Sequence, residues 1–419
     1  MGILPNRRPT LWLRLIMAVL ACIAASPASF ADDLKLERVV LVYRHGVRSP
    51  LPGEIRIDEV HGRAWPAWPV PPSVLTPHGR EGVMAMGRFD RQWLSGAGLF
   101  PPQGCPAAGS VGIWANTDQR TIASAQALAD AFAPGCGLKV GHLPQGAADP
   151  VFNPVASNAV DWDGHAALAA IQRETKGPDA LTAQHRDAMS AFGRVMGCVA
   201  GDGQPACIPA TWHGTLALGA DGNGIALGGP IADTSGTSEA IIMAYLEGKP
   251  MAEVGWGRVD AATFRFLSQL HSLLFDVHAR PSYVADRVAA VLAGRILAIL
   301  DDPHAPRLNV FVGSDNNIVA LASVLGMHFE MPGYGKDDPP VGGALGITVW
   351  RSRSDGHRTV RVVYQAQTPD QLRYLRPLTK DRPPAQRPLV PQVCDASPSH
   401  CDLDKVLDVL RRSASHGRG

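Results

Sequence analysis

Apolar residues run almost without a break from Leu36 to Tyr43, rich in valine, and stop at Arg44-His45-Gly46. A run of that length reads as a strand buried on both faces that ends in a polar loop. Residues 79–96 change to helical spacing, with Val83, Met86, Phe89 and Trp93 on one side. Val111 to Ala115 then predicts a strand, Gln119 to Phe132 a helix, and Leu138 to Leu143 another strand. Between about 160 and 302 the strand signal vanishes, and the pattern predicts helices at 164–175, 180–197, 235–248, 260–279 and 282–300. Strands return at Leu308 to Val312, 345–351 and 358–364, and a short helix follows Asp402. No internal repeat is present. The glycine-rich run 219–229 lacks both the P-loop lysine and dinucleotide-binding spacing, and reads as a loop.

This alternation predicts an α/β fold: a sheet flanked by helices, built from both ends of the chain, with an inserted, mostly helical lobe. The expected bounds are 32–159 and 303–419 for the α/β unit and 160–302 for the lobe. A binding cleft is expected where the two meet.

The N-terminal 31 residues carry Arg7, Arg8 and Arg14, an apolar stretch from Leu15 to Ala25, and Ser29-Phe30-Ala31 ahead of Asp32. That order of basic, apolar and small residues predicts a cleaved secretory signal at 1–31, hence a periplasmic or secreted protein without stable membrane association. Val19-Leu20-Ala21-Cys22 faintly resembles a lipoprotein box, which leaves lipidation at Cys22 open, and Arg7-Arg8 faintly resembles a twin-arginine signal. Six cysteines remain after cleavage, and an even number in an exported chain implies disulfides. The sequence-adjacent pairs close the shortest loops, so Cys105–Cys136, Cys198–Cys207 and Cys394–Cys401 are expected. No C-x-x-C, no H-E-x-x-H and no close histidine pair is found among 14 histidines, so neither a metal nor a cofactor is expected. With 39 basic against 38 acidic residues, no global field would gather nucleic acid or anionic lipid, so any anion site must be local.

Such a site is present. Arg44-His45-Gly46-Val47-Arg48-Ser49-Pro50 sets an imidazole between two guanidinium groups at the carboxyl end of a predicted strand. Arginine forks hold phosphoryl oxygens bidentately, while their charge disfavours protonation of the histidine and leaves a ring nitrogen free to attack phosphorus. Gly46 lets the backbone approach an anion, and Pro50 stiffens the loop exit.

The sequence resembles the histidine acid phosphatases, in particular the bacterial periplasmic phytases and glucose-1-phosphatases. Besides the R-H-G-V-R-S-P loop, the resemblance rests on several segments spread over the mature chain. These are A-W-P-A-W-P-V and L-T-P-H-G at 75–79, D-Q-R-T at 118–121, F-N-P at 152–154, E-G-K-P at 247–250, V-G-W-G-R at 254–258 and P-P-V-G-G at 339–343. It implies a phosphomonoester hydrolase in which His45 becomes a phosphohistidine, Arg44, Arg48 and Arg120 hold the phosphate, and Asp315 gives a proton to the leaving alcohol. It further implies a phosphate-binding arginine near Arg287 and a substrate-facing carboxylate at Glu239, which stands at the expected start of a helix. The substrate would be a small phosphorylated molecule such as a sugar phosphate or phytate.

One signature departs from the family. Where Gly-His-Asp is usual, this chain has Gly313-Ser314-Asp315, so the hydroxyl of Ser314 stands in for a histidine as phosphate donor. Losing such a transition-state donor commonly costs roughly 3–4 kcal/mol. The retained nucleophile, arginines and proton donor favour an enzyme. The alternative is a periplasmic phosphate-ester binding protein that has lost turnover. Acidic conditions should suit the enzyme, because Asp315 must be protonated to start the cycle.

Overall fold

The computed structural model describes residues 1–2, 33–55, 64–198, 211–222, 224–394 and 401–418. The expected signal segment, apart from its first two residues, and Cys207 lie outside these residues. The strands are β1 (Leu34–Arg44), β2 (Val111–Ala115), β3 (Thr215–Leu218), β4 (Ile225–Gly228), β5 (Leu308–Gly313), β6 (Ala344–Ser352), β7 (Arg358–Ala366), β8 (Ala385–Leu389) and β9 (Cys401–Asp402). The α-helices are α1 (Pro77–Gly96), α2 (Gln119–Phe132), α3 (Gly164–Thr175), α4 (Pro178–Gln184), α5 (Arg186–Met196), α6 (Pro230–Leu246), α7 (Ala261–Ser272), α8 (Phe275–His278), α9 (Ser282–Val288), α10 (Ala290–Asp301), α11 (Asp315–Val324), α12 (Pro369–Arg373) and α13 (Leu403–Ala414).

A seven-stranded sheet has the order β2-β5-β1-β6-β7-β8, with β9 added beside β7. The strands β2, β5 and β1 run parallel, and β6, β7, β8 and β9 continue antiparallel. β1 sits in the middle with Val39 to Val42 fully buried, because its side chains alternate between two apolar cores. Val39, Leu41 and Tyr43 pack with α1 and α2. Val40 and Val42 join a core that continues through α5, α6, α7 and α10, so the helices of the central segment share one core with a face of the sheet.

The α/β architecture and the sheet built from both chain ends match the sequence reading. Four details differ. Leu138–Leu143 forms no strand and hydrogen-bonds to the sheet through a bridge between Gly141 and Trp114, with Leu138 and Val140 packed on the core beside it. The glycine-rich run is not a loop throughout but contributes β4 to the β3–β4 hairpin, in which Gly228 pairs with Thr215. The expected helices 180–197, 260–279 and 282–300 each divide in two. For the first, His185 leaves the helical region at φ −113° and separates α4 from α5. Periodicity registers a buried face and continues across such breaks. Finally, α6 starts at Pro230, so Glu239 lies in mid-helix rather than at a helix start.

Cys105 bonds to Cys136 and Cys394 to Cys401, as expected. Cys198 is also disulfide-linked.

Candidate active site

Three parallel strands end at one edge of the sheet. Arg44 closes β1 opposite Gly313 of β5, and Ala115 of β2 pairs with Val312 of β5. The carboxyl edge of parallel strands is where open α/β sheets place ligands. Here the three ends deliver the Arg44–Pro50 loop, Ser314 and Asp315 at the start of α11, and Arg120 in the first turn of α2.

The motif residues outside the chemistry build the frame around this loop. The amide of Arg44 donates to the carbonyl of Gly343 and that of Gly342 to the carbonyl of His45, which accounts for P-P-V-G-G. Thr76 donates its amide to Val47, and a Cβ on Gly79 would lie 2.2 Å from the Val47 carbonyl oxygen, which accounts for L-T-P-H-G. Gly46 is equally constrained: a Cβ there would lie 2.8 Å from Gly79 O, and its amide donates to Ser124 Oγ at 3.0 Å. Trp65 and Trp256 meet edge to face at 5.1 Å, and Lys249 lies over Trp68 while donating to Ala67 O. These contacts tie together the A-W-P-A-W-P-V, V-G-W-G-R and E-G-K-P segments.

Arg44, His45 and Arg48 are each no more than 3% exposed. Nδ1 of His45 lies 2.8 Å from the carbonyl of Gly46. A carbonyl only accepts, so the neutral ring carries its proton on Nδ1 and a lone pair on Nε2. Burial, reinforced by the charges of Arg120, Arg48 and Arg44, holds this histidine well below its usual range and keeps it neutral.

Each arginine is met by a carboxylate. Nη2 of Arg44 contacts Glu239 and lies 2.9 Å from Asp315, while Nη1 donates to Pro339 O at 2.7 Å. Arg48 grips Glu54 with both terminal nitrogens, at 2.9 and 2.6 Å. Arg120 donates to Asp118 at 3.0 Å. The buried Nε atoms of all three arginines find no partner among the described residues, which leaves donor capacity for an anion.

Asp315 is pushed up by burial, but Arg44 and His271 outweigh it and hold the carboxyl far below its normal range. Ser314 is the N-cap of α11: its amide and its hydroxyl both engage Asn317 Oδ1, at 2.9 and 3.1 Å. Without a ligand its one O–H proton is thus turned to the helix start, and donation to phosphate would require the hydroxyl to rotate away from Asn317. Gly313 must be glycine because a Cβ would fall 2.5 Å from that same Asn317 oxygen.

Glu239, 1% exposed, stands between Arg44 and His271 and pairs with both, in mid-helix where it does not meet a helix N-terminus. Arg287 is not gathered with the others. Its guanidinium bonds to Asp161 and lies 3.6 Å over the Tyr283 ring. Sequence reasoning missed His271, Asp338 and the partner roles of Glu54 and Asp118. Glu239, His271 and Asp315 also bring potential metal-ligand atoms within 4.8 Å of one another. The Arg44 guanidinium already contacts both carboxylates of that group, so the cation there is an arginine.

A buried neutral imidazole ringed by arginines, with a carboxyl group alongside, suits phosphate-ester chemistry. Comparisons with known proteins agree. The family profile described as histidine phosphatase superfamily (branch 2) matches residues 35–200. Phytase AppA of Escherichia coli is 31% identical over 388 residues, covering 88% of this chain and 89% of that protein. A glucose-1-phosphatase of Salmonella typhimurium is 30% identical over 410 residues, covering 95% and 97%. The solved structure of Hafnia alvei phytase in complex with tartrate aligns with a TM-score of 0.84 at 29% identity, over 91% of this chain and 97% of that one. The chain belongs to the histidine phosphatase superfamily, branch 2, and is an enzyme of the histidine acid phosphatase type.

Proposed function

We propose that the chain is an exported phosphomonoesterase that works through a phosphohistidine on His45, with Asp315 as proton donor to the leaving alcohol. The observation that carries this reading is the His45 ring, neutral and fixed by Gly46 O so that Nε2 offers a lone pair among three arginines. In the first step Nε2 attacks phosphorus, the P–O bond to the alcohol breaks, and the alcohol oxygen takes the proton of Asp315. In the second, the Asp315 carboxylate removes a proton from water, which displaces His45 and frees phosphate. Arg44, Arg48 and Arg120 hold the phosphoryl oxygens in both steps.

Asp315 is ionised in the empty site. A phosphate dianion would draw Arg44 away and add negative charge, and both changes raise the carboxyl's proton affinity. The site thus arms its own acid on binding. Substrates of the phytate and glucose 1-phosphate class follow from the named relatives, and the disulfides suit an oxidising compartment. Among the described residues no helix is long and apolar enough to cross a membrane.

The test is phosphate release from p-nitrophenyl phosphate, phytate and glucose 1-phosphate from acidic to neutral pH, with acid-quench trapping of phosphoenzyme. Release by the parent with neither release nor phosphoenzyme in His45→Ala is the expected result. Saturable binding without release would instead make the protein a phosphate-ester binder.

A further inference from the structure

Among the charged groups of the site, one has no place in the scheme above. His271, near the end of α7, is buried on a helix that the sequence offers no reason to associate with the catalytic loop. Its Nδ1 lies 2.8 Å from Asp338 Oδ1 and 3.6 Å from Glu239 Oε2, and its Nε2 lies 3.8 Å from Asp315 Oδ2. Asp338 is fixed in turn by the hydroxyl of Ser268, one turn earlier on the same helix, and the ring stands edge-on to Phe275. Position 314 brings no charge to this corner, since a serine hydroxyl is neutral.

We propose that His271 is a positioning residue for Asp315: an imidazolium anchored by Asp338 that aims Nε2–H at the proton donor and stabilises its carboxylate as the proton leaves. This rests on the phosphatase reading above. Proton bookkeeping is simple. Asp315 passes its own proton to the alcohol and regains one from water, while His271 keeps both of its protons throughout. Its charge favours the ionised product of the first transfer and makes Asp315 the stronger acid when the leaving group is a poor one.

The surroundings support a charged ring. Burial alone would lower its proton affinity, but Glu239 and Asp338 raise it to about 9 against the opposing effect of Arg44. The other titratable groups near this corner are Asp315, with His45 beyond it, and the buried phenols of Tyr334 and Tyr364 near Asp338. The phenols are shifted upward by burial and stay neutral.

The test compares a substrate that needs protonation of its leaving group, glycerol 2-phosphate, with p-nitrophenyl phosphate, whose phenolate leaves unaided. In His271→Gln, kcat for glycerol 2-phosphate should fall by about a hundredfold, the lower end for loss of general acid assistance. The value for p-nitrophenyl phosphate should change by less than about threefold, and the limb of the pH profile set by Asp315 should move to higher pH. Asp338→Asn, which keeps shape but removes the anchor, should show the same selective loss to a smaller degree and covers the case in which His271→Gln does not fold. Equal losses on both substrates with an unmoved pH limb, in whichever variant folds, would overturn the proposal. Turnover by the parent together with a silent His45→Ala keeps the phosphatase reading intact in that event; if that control fails, the reading itself falls first.

Discussion

The edge where the parallel strands end and the helical segment from α3 to α10 contribute to the same site in different ways. The strand ends supply the groups proposed to touch phosphate: Arg44, His45, Arg48, Arg120 and Asp315, each within a few residues of a strand terminus. The helices supply Glu239 and His271, which pair with those groups. Chemistry sits where the backbone is most constrained, and its electrostatic tuning arrives by side-chain packing from a distance in sequence.

Replacing a strand-end group should cost most. Asp315→Asn is expected to lower kcat for alkyl phosphates by about 10²–10⁴-fold, while p-nitrophenyl phosphate should keep its rapid release of phenolate in the first turnover and then turn over slowly, because water has lost its base; burst and steady-state rates on both substrates read this. Loss of that first-turnover release as well would show that the carboxyl mainly holds Arg44.

A helix-borne group should act on stability before rate. Glu239→Gln leaves the buried Arg44 with Asp315 as its charged partner, so the urea midpoint should report a loss of about 3 kcal/mol, the low end for breaking a buried pair. Inorganic phosphate should inhibit this variant more strongly, since a competitor for Arg44 is gone. Unchanged stability would place the energetic weight on the strand side alone.

The two regions should also titrate in separate windows. Behind β1, burial pushes Asp90, bonded to Tyr43 and Gln365, up to about 7 from an ordinary 3.8. It keeps a proton in the folded state that the unfolded chain has already lost, so stability falls as pH rises through that interval. His271, raised to about 9 from 6.5, likewise contributes stability that is complete below 6.5 and gone above 9. Depressed His45 and His278 act in the opposite sense below 6.5, so the reading is the difference between parent and variant thermal midpoints across pH. The parent's advantage over Asp90→Asn should shrink between 3.8 and about 7, and its advantage over His271→Gln between 6.5 and about 9. A difference that grows with pH over either window would contradict the assignment.

The smallest effect belongs to a contact within the loop region itself. Glu54→Gln should release the Arg48 fork and tighten inhibition by inorganic phosphate about tenfold, equal to about 1.4 kcal/mol.

This division also explains what could be read from the sequence. β1, β2 and β5 were legible because unbroken apolar runs admit few other readings, and the groups proposed to touch phosphate came with them as contiguous motifs. β8 was missed because A-Q-R-P-L is mostly polar and holds a proline, and β9 because two residues carry no pattern. His271 was invisible for a different reason. A lone histidine on an apolar helix face carries no spacing that ties it to Asp338 or Asp315, which lie more than forty residues away and reach it only through tertiary packing. Arg287 shows the converse: family likeness suggested it, but its guanidinium pairs with Asp161 and stacks on Tyr283 instead of joining the arginines around His45.

Because every guanidinium around His45 already holds a carboxylate, binding here is an exchange of anions rather than the filling of an empty positive well. On the proposed reading, substrate would enter by displacing Glu54, Asp118 and Glu239 from their arginines. After hydrolysis those same carboxylates, still tethered alongside, would compete to return. The protein would thereby carry its own eluent, which would keep a site with this many arginines from becoming a sink for its product.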